Sequence, residues 1–277
     1  MPETSPTTVA TIPPSTTTSV PGYNPAGAVD RMVADLSALR DIGPRVAGTA
    51  QERAAADVIV ASLDPLAKAT RLPVPLPNGD VSANIEARFG DGARTVLLGA
   101  HYDTVTGSPG VDDNGSGTVI LLELARRLAV EPVPELTVIL VWFGAEEILP
   151  GFGRDDHHFG SRAHVGGGDV PDLMVSVDMV GWGDDLAAVY LRETDPSAAL
   201  LAIQVAAGLG QTAVLREAGP ISDHEPFALA GVPSVMLWRP DNPAYHTAAD
   251  DSARPEWLAG TLDLVVAILE SQRTSGP

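Results

Sequence analysis

Five short stretches of this 277-residue chain gather side chains that could do chemistry: His101-Tyr102-Asp103, Asp112-Asp113, Glu146-Glu147, Asp178 and Tyr245-His246. Imidazoles and carboxylates without sulfur suit zinc or a similar divalent ion. The chain has no cysteine, which excludes a thiol nucleophile, an iron–sulfur centre, a disulfide framework and a Cys-ligated zinc. The donors outnumber the four that one tetrahedral zinc takes; two ions sharing a bridging carboxylate would use them economically. Each stretch alone also has a plain structural reading. A histidine after a strand is commonly a satisfied core or surface residue, Asp112–Gly115 fits a turn and helix cap, and Glu146-Glu147 fits a solvated loop.

What those readings leave unexplained is the coincidence of position. Strands are expected at 82–88, 95–100, 137–143, 173–178, 187–192 and 234–238. Helices are expected from Asn24 to the break at Gly43-Pro44, then over 50–63, 116–129, 197–208 and 255–271. Val96–Leu98 and Val138–Val141 are continuously apolar, as strands buried on both faces are. Strands alternating with helices predict one α/β domain around a mostly parallel central sheet with mixed edges. In such sheets ligands bind beyond the carboxyl ends of the strands. His101, Glu146-Glu147, Asp178 and the Tyr245-His246 loop all follow strand ends, and the Asp113 loop feeds a helix. Random surface acids would scatter along helices instead.

Composition narrows the partners. There are 36 acids against 17 bases, a formal net charge of −19, and a single lysine, Lys68. Nucleic-acid binding needs clustered cations, so it is not expected. The longest nearly unbroken apolar run, Leu136–Phe143, is far short of the roughly 18 residues of a membrane helix, and the chain reads as a soluble acidic protein. Fifteen of the first 22 residues are Pro, Ser or Thr, too polar to bury surface against their ordering entropy. Residues 1–23 are therefore read as a disordered tail or linker and 24–277 as a single domain. Thr/Pro-rich spacers commonly separate an export signal from a secreted domain. By that association the protein is expected to be secreted or tethered to the cell envelope, the signal itself not being in this chain.

Seven segments, in this order, carry a resemblance: GAHYDTV (99–105), GVDDNGSG (110–117), FGAEE (143–147), GSRAHV (160–165), SVDMVG (176–181), SDHEPFALAGVPS (222–234) and YHTAADD (245–251). Together they resemble the double-zinc exopeptidases of the bacterial leucyl aminopeptidase and aminopeptidase Y type, over about residues 26–271. The resemblance implies a three-layer α/β/α domain, a zinc-exopeptidase-like fold, binding two Zn2+ ions. It implies His101 and Asp178 as ligands of one ion, Glu147 and His246 of the other, and Asp113 as the bridge. It also implies a cis bond from Asp113 to Asn114. Asp103 is expected to hold the His101 imidazole, Glu146 to be the general base, and Tyr245 to stabilise the oxyanion. Asp223 is expected to support the site without binding metal. The implied reaction is hydrolysis of the N-terminal peptide bond by a metal-activated water. The implied substrates are peptides with a free, positively charged N-terminus, which the acidic rim suits.

Ile148–Phe159 departs from the commonest pattern, because many relatives have only a few residues between Glu147 and Gly160-Ser161-Arg162. This insert carries Arg154, Asp155, Asp156, His157 and His158, and is read either as shaping specificity or as a solvated loop. Inserts of this kind also occur in the glutaminyl cyclases, fold relatives that use one zinc to close N-terminal glutamine into a lactam. Gly115-Ser116-Gly117 after Asn114, the twelve-residue step from His101 to Asp113, and Tyr245 instead of Trp argue against a cyclase. A carboxypeptidase would need a cation for the substrate carboxylate, with Arg154, Arg162 and Arg239 as candidates. A serine hydrolase lacks its G-x-S-x-G, and His224-Glu225 cannot begin H-E-x-x-H because residue 228 is Ala. A non-catalytic binding module predicts loss of a ligand or base, and none is lost.

Overall fold

The computed structural model describes residues 22–153, 156–168 and 170–274. Residues 1–21 of the tail expected over 1–23, and Arg154 and Asp155 of the insert, lie outside them. Among the described residues, eight strands form one sheet: β1 (Thr70–Pro75), β2 (Val81–Phe89), β3 (Arg94–His101), β4 (Leu136–Phe143), β5 (Leu173–Val177), β6 (Leu186–Leu191), β7 (Ala213–Ala218) and β8 (Ser234–Trp238). Their order is β1-β2-β4-β3-β5-β8-β6-β7. The central pairs β4/β3, β3/β5 and β5/β8 are parallel, as is β6/β7, whereas β1/β2, β2/β4 and β6/β8 are antiparallel. The expected mixed sheet with a parallel centre is therefore present.

The apolar strands divide their side chains between two cores, as the two-residue period dictates. Val96 and Leu98 of β3, with Val138, Leu140 and Trp142 of β4, join the larger core. Leu97, Ile139, Val141 and Phe143 point to the opposite face, where Met174, Phe227 and Val232 meet them. The larger core lies under α1 (Ala28–Ile42), α2 (Ala50–Leu63), α3 (Gly117–Val130), α5 (Ser197–Gly208) and α7 (Pro255–Ser271). The smaller core lies under α4 (Phe159–Gly166) and α6 (His224–Leu229). This makes the three-layer sandwich that the resemblance implies.

Each expected strand and helix is present within a few residues. The first helix begins at Ala28 rather than Asn24, because Pro25–Gly27 form a single 3-10 turn whose Ala26 N–H donates to Asn24 Oδ1 at 3.1 Å. Four elements were not anticipated: β1, β7, α4 and α6. The two strands are the sheet's edges and are largely exposed, so neither carries an apolar pattern. The helices have only 8 and 6 residues, too short for a helical period to register.

Candidate metal centre

β3 ends at His101, whose neighbours fix its height above the sheet. Thr118 Oγ1 on α3 donates to the His101 carbonyl at 3.0 Å, and Tyr102 N–H extends the ladder to Phe143 O at 3.0 Å. The imidazole is buried, with Nε2 at 3.3 Å from Asp113 Oδ1, 3.4 Å from Asp178 Oδ1 and 4.0 Å from Glu146 Oε2. Its Nδ1 lies 3.2 Å from the Asp103 carbonyl and 3.7 Å from the Asp103 carboxylate. The hydrogen bonds of that carboxylate go elsewhere: its two oxygens accept from the Glu146 and Glu147 backbone N–H groups at 3.0 and 3.2 Å. Asp103 thus anchors the Glu146-Glu147 turn as well as facing the ring.

Asp113 sits in a buried turn, Val111–Ser116, ahead of α3, and the Asp113–Asn114 bond is cis as the resemblance implies. Both carboxylate oxygens of Asp250 hold the turn, accepting from Asp112 N–H at 3.0 Å and Asp113 N–H at 3.1 Å. Asp112 is used internally, accepting from Gly181 N–H at 2.7 Å and the Asn242 side-chain amide at 2.9 Å. The turn can press this close to β5 because residue 117 is glycine; a Cβ there would stand 2.1 Å from the Val177 carbonyl.

Glu146 and Glu147 follow β4, Asp178 follows β5, and His246 lies on the loop beyond β8. His246 Nε2 stands 3.2 Å from both Asp113 Oδ2 and Glu147 Oε2. The Tyr245 ring stacks on the His246 ring with centroids 3.7 Å apart, and it is half-exposed at the mouth of the cavity. That cavity, of about 280 Å3, is lined by the five candidate ligands, Glu146 and Tyr245, with Met179, Ile221, Met236 and Trp238 as its apolar wall. Ala145, His158, Met179 and His246 around it all take left-handed φ values of 51–59°, a conformation unusual for residues other than glycine and frequent where a site fixes its backbone.

Charge is crowded here. Burial would raise the Asp113 carboxyl, yet the His101 and His246 imidazoles hold it well below the carboxylate range. Burial and then Asp113 push Glu147 up to about 8. Burial works against a protonated His246, but Asp113 and Glu147 lift it to about 10. Such a buried excess of carboxylate calls for compensating cations.

The residues fit a divalent ion pair on three counts. They form donor triads His101/Asp113/Asp178 and Asp113/Glu147/His246, which share Asp113, and a third grouping of His101 with Glu146 and Glu147. Asp113 Oδ2, Glu147 Oε1 and Asp178 Oδ1 are buried without a hydrogen-bond donor. Ligand atoms 2.0–2.2 Å from a tetrahedral ion stand about 3.4 Å apart, close to the 3.2–3.4 Å contacts between the imidazole nitrogens and Asp113, Glu147 and Asp178.

Asp223 is fully buried at the start of α6, and neither carboxylate oxygen has a hydrogen-bond partner. Burial and then the Glu146 charge raise it to about 7. Four contributors were not assigned from sequence: His158, Glu225, Asp250 and Arg45. His158 of the insert contacts Glu146 Oε1 through Nε2 at 2.9 Å and Glu225 Oε2 through Nδ1 at 2.6 Å. Arg45, buried, donates to the carbonyls of Tyr102, Pro109 and Gly110 at 2.7, 2.6 and 3.0 Å and so ties down the 102–110 loop. Asp250 lies in the quoted YHTAADD segment, and two histidines beside a Glu-Glu pair were the available signal for His158.

Comparison with known proteins bears on this geometry. The leupeptin-inactivating enzyme 1 of Streptomyces exfoliatus is 31% identical over 200 residues, 69% of this chain and 43% of that protein. Aminopeptidase YwaD of Bacillus subtilis is 32% identical over 62% of this chain and 40% of its own length. The chain therefore spans about two-fifths of the length of these relatives. Among solved structures, a glutaminyl cyclase of Porphyromonas gingivalis superposes with a TM-score of 0.78 at 25% identity, covering 88% of this chain and 98% of that one. The zinc aminopeptidase BSAP of Bacillus subtilis superposes at 0.76 and 20% identity, covering 88% and 95%, a likeness of fold. The model of peptidase family M28 matches residues 81–266, which contain every donor of the centre, and the chain belongs to that family.

Proposed function

We propose that this chain is a metal-dependent aminopeptidase that holds two zinc ions. His101 and Asp178 would hold one ion, Glu147 and His246 the other, and Asp113 both. When bound, the ions supply Lewis acidity toward the scissile carbonyl and lower the pKa of water. Glu146 takes a proton from the attacking water as the C–O bond forms, and returns it to the leaving amine as the C–N bond breaks. Its Oε2 faces His101 Nε2 at 4.0 Å, beside both donor triads. The Tyr245 hydroxyl, raised above its ordinary pKa first by burial and then by Asp113 and Glu147, remains a hydrogen-bond donor for the developing oxyanion. The carboxylate-rich mouth favours a substrate with a protonated N-terminus. The observation that carries this reading is the pair of donor triads sharing Asp113.

The Thr/Pro-rich stretch over residues 1–23 is proposed to be a spacer that holds the domain outside the cell or on its envelope. The probable lipoprotein aminopeptidase LpqL of Mycobacterium tuberculosis, 32% identical over 55% of this chain, agrees with an envelope setting.

A cyclase is the second reading, favoured by the glutaminyl cyclase superposition. Metal content per chain, with rates on aminoacyl-p-nitroanilides and on an N-terminal glutaminyl peptide followed by mass, separates the two. Two zinc ions and anilide release, abolished in Glu146→Gln, are expected. One zinc with loss of ammonia from the glutaminyl peptide would overturn the aminopeptidase reading.

A further inference from the structure

The insert delivers a residue to the proposed base. His158 N–H donates to the Glu146 carbonyl at 2.8 Å, and Phe159 N–H donates to Ala145 O at 2.8 Å, so the end of the insert is laced to the loop that carries Glu146. The His158 ring, 2% exposed, lies between two carboxylates, Glu146 Oε1 at 2.9 Å and Glu225 Oε2 at 2.6 Å. Glu225 comes from α6, on the far side of the ring, with Arg162 Nη2 at 3.8 Å from its carboxylate. The His157 ring packs edge-on against His158 at 3.8 Å. One oxygen of Glu146 is thus tied to the protein while the other faces His101.

We propose that His158, itself oriented by Glu225, is a positioning residue that holds the Glu146 carboxylate in the rotamer needed to take a proton from the attacking water. The inference rests on the reading of Glu146 as the base. Two acceptor carboxylates flanking one ring require both ring nitrogens to donate. In agreement, the Glu146 and Glu225 carboxylates outweigh burial and lift the imidazole to about 10. The arrangement follows the general pattern of a base oriented by a further group, and misplacement of a reacting group by about 1 Å can cost about 100-fold in rate.

The test is steady-state kinetics on leucyl-p-nitroanilide with the zinc-loaded protein, metal content measured for every variant. His158→Ala is expected to lower kcat about 10- to 100-fold, with KM within about twofold and metal content unchanged. Glu225→Ala is expected to lose about tenfold, and the double variant to be no slower than His158→Ala, because both act through one contact. Glu225→Gln, whose amide oxygen still accepts from Nδ1–H, is expected to recover most of the rate. Should His158→Ala fold poorly, His158→Gln keeps an N–H toward Glu146 and is expected to stand between it and the parent. An inactive Glu146→Gln alongside a fully active His158→Ala would overturn the proposal alone. So would multiplying losses in the double variant, or a Glu225→Gln as slow as Glu225→Ala. An active Glu146→Gln would instead remove the reading on which the proposal rests.

Discussion

Asp103→Asn isolates what the carboxylate beneath His101 does. Asp103 is fully buried and accepts two backbone N–H bonds, from Glu146 at 3.0 Å and Glu147 at 3.2 Å. Hydrogen bonds to a charged group contribute about 1.5–3 kcal/mol each, and a buried donor left without an acceptor costs about 1–3 kcal/mol. An Asn side chain keeps one carbonyl acceptor but turns its amide toward the second N–H, so one bond is lost and the other loses its charge assistance. Together these give a loss of about 3 kcal/mol. Two charge effects accompany the change with opposite signs: repulsion of Glu52 is relieved, and attraction to the buried Arg45 guanidinium disappears. The hydrogen-bond loss therefore decides the outcome. Urea unfolding in excess chelator, followed by tryptophan fluorescence, is expected to show Asp103→Asn less stable by about 3 kcal/mol at unchanged m-value. Zinc affinity is expected to fall about 10- to 100-fold as well, because the carboxylate also faces His101 Nδ1 at 3.7 Å. A variant within about 0.5 kcal/mol of the parent in chelator, whatever its zinc affinity, would refute the anchoring of the Glu146-Glu147 turn, since the surface-mutation range is about that size.

Two further outcomes are expected. Glu52, buried in α2, is raised to about 8 by burial and then by the Asp103 charge, against the hydrogen bonds it accepts from Ser82 Oγ and Gly48 N–H. Its folded pKa exceeds its unfolded value, so the folded chain binds more protons between about pH 4.5 and 8; the contribution is whole below that window and is lost as pH rises through about 8. Unfolding free energy of the parent should therefore fall relative to Glu52→Gln by up to about 4 kcal/mol from pH 4.5 to 9, and parallel curves would refute the assignment. In the cavity, Met179, Ile221, Met236 and Trp238 present an apolar wall, and each buried methylene is worth about 0.8 kcal/mol. Leucyl-p-nitroanilide should exceed the glycyl and glutamyl analogues in kcat/KM by about tenfold or more; equal values would place the side-chain pocket elsewhere.

What the sequence made legible follows from how each feature is encoded. β3 and β4 are buried on both faces, so Val96–Leu98 and Val138–Val141 announce themselves as unbroken apolar runs, and the residues that follow them are placed by the carboxyl-end rule. That is why His101, Glu146, Glu147 and Asp178 could be gathered before any geometry was known. β1 and β7 lie at the edges of the sheet and bury too little to leave a pattern. The supporting residues were hidden for a different reason: their function is a contact between segments far apart in sequence. Asp250 reaches back 137 residues to the Asp113 N–H, and Glu225 reaches 67 residues to His158. Both lie inside segments that carry the resemblance, SDHEPFALAGVPS and YHTAADD, but nothing local in those segments names the partner each one reaches. Nothing in the sequence marks Arg45; its burial and its hydrogen bonds to three carbonyls of the loop after His101 show its part. Asp103 marks the boundary between the two cases. The resemblance implied a role for it beside the His101 ring, but only the fold shows both of its oxygens spent on the Glu146 and Glu147 backbone. Most of the donor set is thus written locally, just beyond strand ends. The network that aims it is written in pairs of residues that folding alone brings together, and there one substitution should separate rate from metal binding.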